Sequence, residues 1–265
     1  MARIFAITNQ KGGVGKTTTC VNLAASLAIT KRRVLLIDLD PQGNATMGCG
    51  VNKHDVELSA CDVLLGEASI TEARVKTETE NLVVVPSNSD LTAAEVALMN
   101  TEGRERRLSN ALSEVADDYD YILIDCPPSL NMLTVNALTA AQGVIIPMQC
   151  EYYALEGLSA LIETIEQLRT TVNPKLEIEG LLRTMFDPRN RLANDVSSQL
   201  NTHFGDKVYR TLIPRNIRLA EAPSHGLPVI MYDKSSRGAV AYLALAGEIL
   251  RREEQQQQVV AEAAG

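Results

Sequence analysis

Short apolar runs alternate with longer amphipathic stretches along most of the chain. The runs Arg3–Thr8 (RIFAIT), Arg33–Leu39 (RVLLIDL), Asn81–Pro86, Tyr119–Asp125 (YDYILID), Gly143–Met148 and Glu177–Thr184 are rich in Val, Ile and Leu and bounded by polar or glycine-containing segments. Near-continuous apolar character over such lengths predicts parallel strands covered on both faces. Helical periodicity follows most of them, at Lys16–Ile29, Arg104–Ala116, Asn131–Ala141, Leu155–Thr171, Asn190–Phe204 and Ser236–Glu254. This alternation predicts a single-domain α/β fold, with a mainly parallel twisted sheet flanked by helices on both faces and right-handed crossovers. Ligands of such sheets lie beyond the carboxyl ends of the strands, so the chemistry is expected in the loops that follow them.

No internal repeat or change of composition marks a linker, and one domain is expected over residues 1–252. The remainder, 253–265, opens with EEQQQQ and is expected to be a frayed helix end or a disordered tail. A length of 265 residues with 45% hydrophobic and 22% charged residues is globular, and no apolar run approaches the roughly 18–20 residues of a membrane span. The N-terminal MARIFAITNQKGG lacks the apolar core and cleavage site of a secretion signal, so a cytoplasmic protein is expected. Cys20, Cys49, Cys61, Cys126 and Cys150 are odd in number and contain no CxxC pair, which favours buried thiols over a metal site. The net charge of −8 argues against a polyanionic partner. Yet Leu181–Arg218 holds seven basic residues (Arg183, Arg189, Arg191, Lys207, Arg210, Arg215, Arg218) against Asp187, Asp195 and Asp206, so a local basic face is expected.

The strongest chemical signal follows the first strand: Lys11-Gly12-Gly13-Val14-Gly15-Lys16-Thr17-Thr18, running into a helical pattern. Glycines let the backbone curl so that its N–H groups converge on phosphate oxygens, and the helix N-terminus adds its dipole. Lys16 is expected to neutralise the β- and γ-phosphates and the Thr17 hydroxyl to hold Mg²⁺. The usual phosphate loop has a glycine where this chain has Gln10, and the lysine at position 11 is additional. Two later strand ends carry carboxylates, Asp38 and Asp40 in LLIDLDPQGNAT and Asp125 in YILIDCPPS. Beside a phosphate loop such groups can hold a Mg²⁺-bound water or orient the attacking one. The turn-rich stretches Pro41-Gln42-Gly43-Asn44 and Pro127-Pro128-Ser129 that follow are placed to sense a γ-phosphate.

Taken together, KGGVGKTTT, LLIDLDPQGNAT, YDYILIDCPPSL, QCEYYALEG and IPRNIRLAEAPSHG resemble the ParA/Soj chromosome-partitioning ATPases, over nearly the whole chain from Ala2 to about Arg251. The first motif is the deviant Walker A of the ParA/MinD superfamily. The resemblance implies ATP and Mg²⁺ as ligands and an ATP-dependent, face-to-face homodimer. It makes Lys11 the lysine that reaches the partner's phosphates, as an arginine finger does in trans, and places Gly12 where the two loops approach. It makes Asp40 the residue that positions water, Asp125 the carboxylate near Mg²⁺, with Thr17 and Asp40 beside the same ion, and Pro214, Arg215 and Asn216 the loop over adenine. It further implies non-specific binding of double-stranded DNA by the ATP form through Arg189 and Arg218, with Lys234 and Arg237 as weaker candidates, and hence association with the nucleoid. Hydrolysis is expected to be slow until stimulated by a ParB/Spo0J-type centromere-binding protein.

The nearest alternative is a MinD-like ATPase recruited to membranes, but RREEQQQQVVAEAAG lacks the basic and bulky apolar faces of a membrane-binding helix. An iron-sulfur reductase sharing this phosphate loop would need two cysteines at the dimer axis, and only Cys126 lies beside a nucleotide loop. A purely structural scaffold or filament former would have no use for the combined phosphate, Mg²⁺ and water-positioning residues.

Overall fold

The alternation read from the sequence becomes a sheet because successive strand residues point to opposite faces and both faces are apolar. In the computed structural model, which describes residues 2–264 with side chains to Gln258, Ile4, Ala6, Leu35, Ile37, Ile122 and Ile124 pack on one side. Phe5, Ile7, Val34, Leu36, Tyr121 and Leu123 pack on the other. The chain order is β1 (Arg3–Ile7), α1 (Lys16–Ile29), β2 (Val34–Asp38), α2 (Asn44–Gly48), α3 (Ala60–Leu65), α4 (Ile70–Ala73), β3 (Val75–Lys76), β4 (Leu82–Val85) and α5 (Leu91–Leu98). It continues through α6 (Arg107–Ser113), β5 (Tyr121–Asp125), α7 (Met132–Ala140), β6 (Gly143–Gln149), α8 (Ala154–Thr171), β7 (Glu177–Phe186) and α9 (Arg191–Phe204). The last elements are β8 (Val208–Pro214), α10 (Ile217–Glu221), α11 (Val229–Tyr232) and α12 (Arg237–Ala264).

The sheet has 8 strands in the order β3-β4-β2-β5-β1-β6-β7-β8. Every neighbouring pair is parallel except β3 with β4. One face is covered by α3 to α9 and the other by α1, α2 and α10 to α12. Helix α1 is buried on nearly all sides, including Thr19, Asn22 and Ser26, because α11 and α12 pack beside it on the same face of the sheet. Two of these polar groups are satisfied there: the Thr19 and Tyr242 hydroxyls pair at 3.1 Å, and the Asn22 side chain accepts from the Val229 N–H at 2.7 Å, whereas the Ser26 hydroxyl has no hydrogen-bond partner.

Three features depart from the sequence reading. Strand β8 did not announce itself, because Arg210 is exposed and Thr211 and Leu212 are only partly buried, which breaks the apolar run of an edge strand. The region between β2 and β4 folds as short helices held by local caps, Ser59 with Asp62 and Ser69 with Glu72, too short to show a helical period. The boundary placed at residue 252 is also corrected: α12 runs on to Ala264. Glu253 is partly buried, accepts from the Tyr121 hydroxyl and pairs with Arg3 at 3.3 Å, so it belongs to the fold rather than to a tail.

The contact of α12 with β8 centres on Glu248, which is buried and accepts from the N–H groups of Arg210 at 2.8 Å and Thr211 at 2.9 Å, and from Arg252 at 2.8 Å. Burial alone would raise its pKa, but these hydrogen bonds and the Arg252 charge outweigh it and hold the carboxyl below its ordinary value. Glu248→Ala leaves two strand N–H groups without an acceptor and is expected to cost about 1–3 kcal/mol for each, read by urea denaturation. Because the folded pKa is depressed, the Glu248 contribution is present above the unfolded value near 4.5 and fades as pH falls through the folded one. A wild-type and alanine variant of equal stability at neutral pH would contradict this role.

Candidate nucleotide site

The register of the three central strands assembles the site. Ile7 of β1 stands opposite Asp125 of β5, and Asp125 stands opposite Asp38 of β2. Two carboxylates therefore stand in a row on one side of the phosphate loop that follows β1, at the same end of the sheet. Gly13 (φ 73) and Gly15 (φ 88) take the left-handed conformation that side chains resist, and α1 begins directly after Gly15. The loop is tied to the neighbouring strands: the Asn9 amide donates to the Pro147 carbonyl at 2.9 Å, and its oxygen accepts from the Lys11 N–H at 2.9 Å. On the other side the Thr184 hydroxyl donates to the Val14 carbonyl at 2.7 Å.

Lys16 is buried and its ammonium lies across the loop, donating to the Lys11 carbonyl at 3.2 Å. Burial lowers its pKa, opposed by the charge of Asp125 and, more weakly, of Asp40. Asp38 and Asp125 are both 0% exposed. Burial pushes Asp38 up to about 6, although Thr46 and the Asp40 N–H hydrogen-bond to it. Asp125 is pushed well above the usual carboxylate range, first by burial and then by Asp38. Neither Asp125 oxygen has a well-formed hydrogen bond. The Thr17 hydroxyl and the Lys16 ammonium are the groups that favour its charged form.

A buried, unpartnered carboxylate beside a threonine hydroxyl at the mouth of a phosphate loop fits a divalent cation held through water and phosphate. Among the described residues no cluster of three or more His, Cys, Asp or Glu is arranged to hold a metal by itself. Asp40 is 9% exposed, and its Oδ1 accepts from the Gln42 N–H at 2.9 Å. It sits on the loop after β2.

The extra lysine does not serve its own loop: the Lys11 ammonium pairs with Glu151 at 2.6 Å, both groups well exposed. Tyr152 and Tyr153, exposed and packed edge to face, adjoin this pair. Gly12 has no left-handed φ, and a Cβ there would meet nothing within 4 Å, so the folding of one chain does not require glycine at this position. Pro214 pairs with Phe186 at the carboxyl end of β8, which sets Pro214–Asn216 at the same sheet edge as the phosphate loop. The Asn216 side chain caps α10 by accepting from the Arg218 N–H at 3.0 Å.

The basic stretch counted in the sequence does not form one face. Arg183 is buried and donates to the Ser197 hydroxyl at 2.7 Å. Lys207 and Arg210 lie towards the start of β8, in an open groove of about 1570 Å³ beside α12. Arg189 and Arg218 follow the opposite ends of β7 and β8 and are exposed, but each is paired. Arg189 meets Asp187 at 2.8 Å and holds it down to about 2, with Arg237 also acting on Asp187. Arg218 meets Glu221 at 2.7 Å and Asp233 at 3.4 Å. All five cysteines are buried free thiols, which removes the solvent-facing pair that a bridging cluster would need.

Several contributors carried no readable motif: Asn9 and Thr184 shape the loop, Glu151 holds Lys11, and Thr46 and Ser87 surround Asp40. Thr46 and Glu151 lie inside the motifs that carry the resemblance and Asn9 just ahead of the first, whereas the contact of Ser87 with Asp40 spans 47 positions and only the fold reveals it.

A family model described as "AAA domain" matches residues 2–178. The chain is 55% identical over 249 residues to the sporulation initiation inhibitor protein Soj of Bacillus subtilis, covering 94% of this chain and 98% of that one. It is 52% identical over 257 residues to the chromosome partitioning protein ParA of Caulobacter vibrioides, covering 96% of each. Among solved structures, a Mycobacterium smegmatis protein described as cobyrinic acid a,c-diamide synthase, with bound ADP and magnesium, superimposes with a TM-score of 0.84 at 38% identity and 96% coverage of each chain.

A carboxylate whose pKa is raised by folding destabilises the fold at every pH above its unfolded value, where it must be ionised or take up a proton. Asp125→Asn is therefore expected to stabilise the nucleotide-free protein at pH 7, by about 2–4 °C in Tm for each kcal/mol recovered, while weakening Mg²⁺-dependent nucleotide binding. A lower Tm with unchanged Mg²⁺ dependence would contradict the assignment.

Proposed function

Because the chain belongs to the ParA/Soj family of chromosome-partitioning proteins, we propose that it is an ATP hydrolase that closes on ATP as a homodimer, binds DNA without sequence preference in that state, and is released by hydrolysis. The observation that carries the reading is the unpartnered Asp125 carboxylate buried behind a lysine-bearing phosphate loop. Bound ADP and magnesium in the M. smegmatis relative support the ligand class.

In the proposed cycle the N–H groups of Gly12 to Thr18 enclose the phosphates, and Lys16 leaves the Lys11 carbonyl to bind the β- and γ-oxygens. Thr17, Asp40 and Asp125 are the side chains that would hold Mg²⁺ and its waters. When bound, the ion withdraws charge from the phosphate oxygens as the terminal bond breaks. Asp40 orients the attacking water. Pro214, Arg215 and Asn216 cover the base. Lys11 exchanges Glu151 for the partner's phosphates, which explains a second lysine directed away from its own loop. The space around Gly12 is then the space that the facing loop occupies.

Arg189, Arg218 and Arg237 are the proposed DNA-facing cations. Each paired arginine would exchange a carboxylate for a DNA phosphate, so ATP-dependent pairing of two chains, rather than the charge of one, supplies the affinity. A ParB-type partner is proposed to accelerate hydrolysis. The membrane reading draws no support from α12, where Arg251 and Arg252 are followed by Glu253 and Glu254. No helix among the described residues is long and apolar enough to cross a membrane.

Lys16→Ala is expected to abolish tight ATP binding, whereas Asp40→Ala should keep binding and dimerisation but slow turnover by about a hundredfold or more, read by single-turnover hydrolysis and light scattering. Normal turnover in the Asp40 variant would remove it from the mechanism. Retention on a non-specific duplex should require ATP and fall steeply with salt. Arg189→Glu and Arg218→Glu should reduce the log-log salt slope by about 1 for each DNA phosphate no longer neutralised, with the dimer intact. Loss of the dimer would instead assign these arginines to structure.

A further inference from the structure

The loop that carries Asp40 is held by a closed ring of buried hydrogen bonds. The Asp40 N–H donates to Asp38 Oδ1 at 3.1 Å. Asp38 Oδ2 accepts from the Thr46 hydroxyl at 2.7 Å and from the Thr46 N–H at 2.8 Å. The same hydroxyl oxygen accepts from the Ser87 N–H at 2.9 Å, and the Ser87 hydroxyl returns to the Asp40 carbonyl at 2.8 Å. Asp38, Thr46 and Ser87 are all 0% exposed. Both main-chain polar groups of Asp40 therefore lie within the ring. Of its carboxylate, Oδ1 is taken by the Gln42 N–H, while Oδ2 accepts no hydrogen bond among the described residues.

The ring joins two elements distant in sequence, because Ser87 follows β4 while Asp40 and Thr46 belong to the segment after β2. The loop has little slack against this support: Gly43 has φ +61, and a Cβ there would lie 2.6 Å from the Ser87 carbonyl oxygen. Thr46 has its donor and an acceptor lone pair committed inside the ring, so neither it nor Ser87 is arranged to hold nucleotide. What the two hydroxyls fix is the position of the residue between them.

We infer that Thr46 and Ser87 are positioning residues for hydrolysis, which lock the Asp40 loop to the end of β4 and act on the reaction only through Asp40. The inference rests on the reading of Asp40 as the residue that orients water. Buried hydroxyls suit this task, since a rigid loop keeps a carboxylate within the narrow geometry that in-line attack requires, and a displacement of about 1 Å can cost about a hundredfold in rate.

The test uses the full chain with ATP and Mg²⁺, and compares Thr46→Val, Thr46→Ser, Ser87→Ala and Asp40→Ala for ATP affinity by calorimetry and for single-turnover hydrolysis. Thr46→Val and Ser87→Ala are expected to bind ATP within about twofold of wild type while hydrolysing it about ten- to a hundredfold more slowly. Thr46→Ser, which keeps the hydroxyl, should restore most of the rate. Adding Thr46→Val to Asp40→Ala should remove nothing further, since residues acting through one group do not add. The inference is overturned if Thr46→Val and Ser87→Ala turn over normally while Asp40→Ala is inactive. It is equally overturned if their ATP affinity falls in step with the rate, or if Thr46→Ser is as slow as Thr46→Val. Normal turnover in Asp40→Ala removes the reading of Asp40 itself and this inference with it.

Discussion

The structure turns on one placement: two fully buried carboxylates, Asp38 held by three hydrogen bonds and Asp125 by none, stand opposite each other on neighbouring strands with the Lys16 ammonium as the nearby cation. Isolated carboxylates in an apolar interior are unfavourable and tend to take up protons. A fold built for stability alone would place apolar residues or a matched pair there. The parallel register of β2 and β5 makes the placement unavoidable once aspartates end those two strands. The local cost makes sense if the occupied site brings its own positive charge. The rest of the molecule supports this row: α1 presents its N-terminus to the loop, α12 packs beside α1, and Glu248 and Glu253 fasten α12 to the sheet.

Most of this was legible in the chain because it depends on patterns local in sequence. A buried parallel strand reads as an apolar run, and a phosphate loop needs glycines and a lysine within a few positions, so β1, α1, β2, β5, Lys16, Asp40 and Asp125 could be found directly. What stayed hidden depends on pairing across the fold. Strand β8 takes its stability from Glu248 and from β7, not from its own apolar content, so its polar residues masked it. The continuation of α12 past Arg252 follows from contacts of Glu253 with Arg3 and Tyr121, which composition alone cannot foresee. Counting charge between Leu181 and Arg218 failed in part for the same reason. Arg183 faces inward, and the strands carry Lys207 and Arg210 away from Arg189 and Arg218.

The exposed groups around the site share a common character. Lys11, Arg189 and Arg218 are each held by a carboxylate of the same chain at hydrogen-bonding distance. Exposed pairs of this kind contribute little to stability, so each cation can change partners at small cost. Buried contacts such as the ring around Asp40 are different, since they are protected from water and keep their geometry. The molecule thus combines a rigid, buried loop support with a periphery of exchangeable charges.

The buried Asp125 carboxylate has no hydrogen-bond partner of its own, and the role proposed for it is to hold a cation that arrives with the nucleotide. Calorimetric titration of ATP into the full chain, with and without Mg²⁺, tests this most directly. Mg²⁺ is expected to tighten ATP binding to the wild type and to have little effect on Asp125→Asn. An equal effect of Mg²⁺ on both would contradict the role of Asp125.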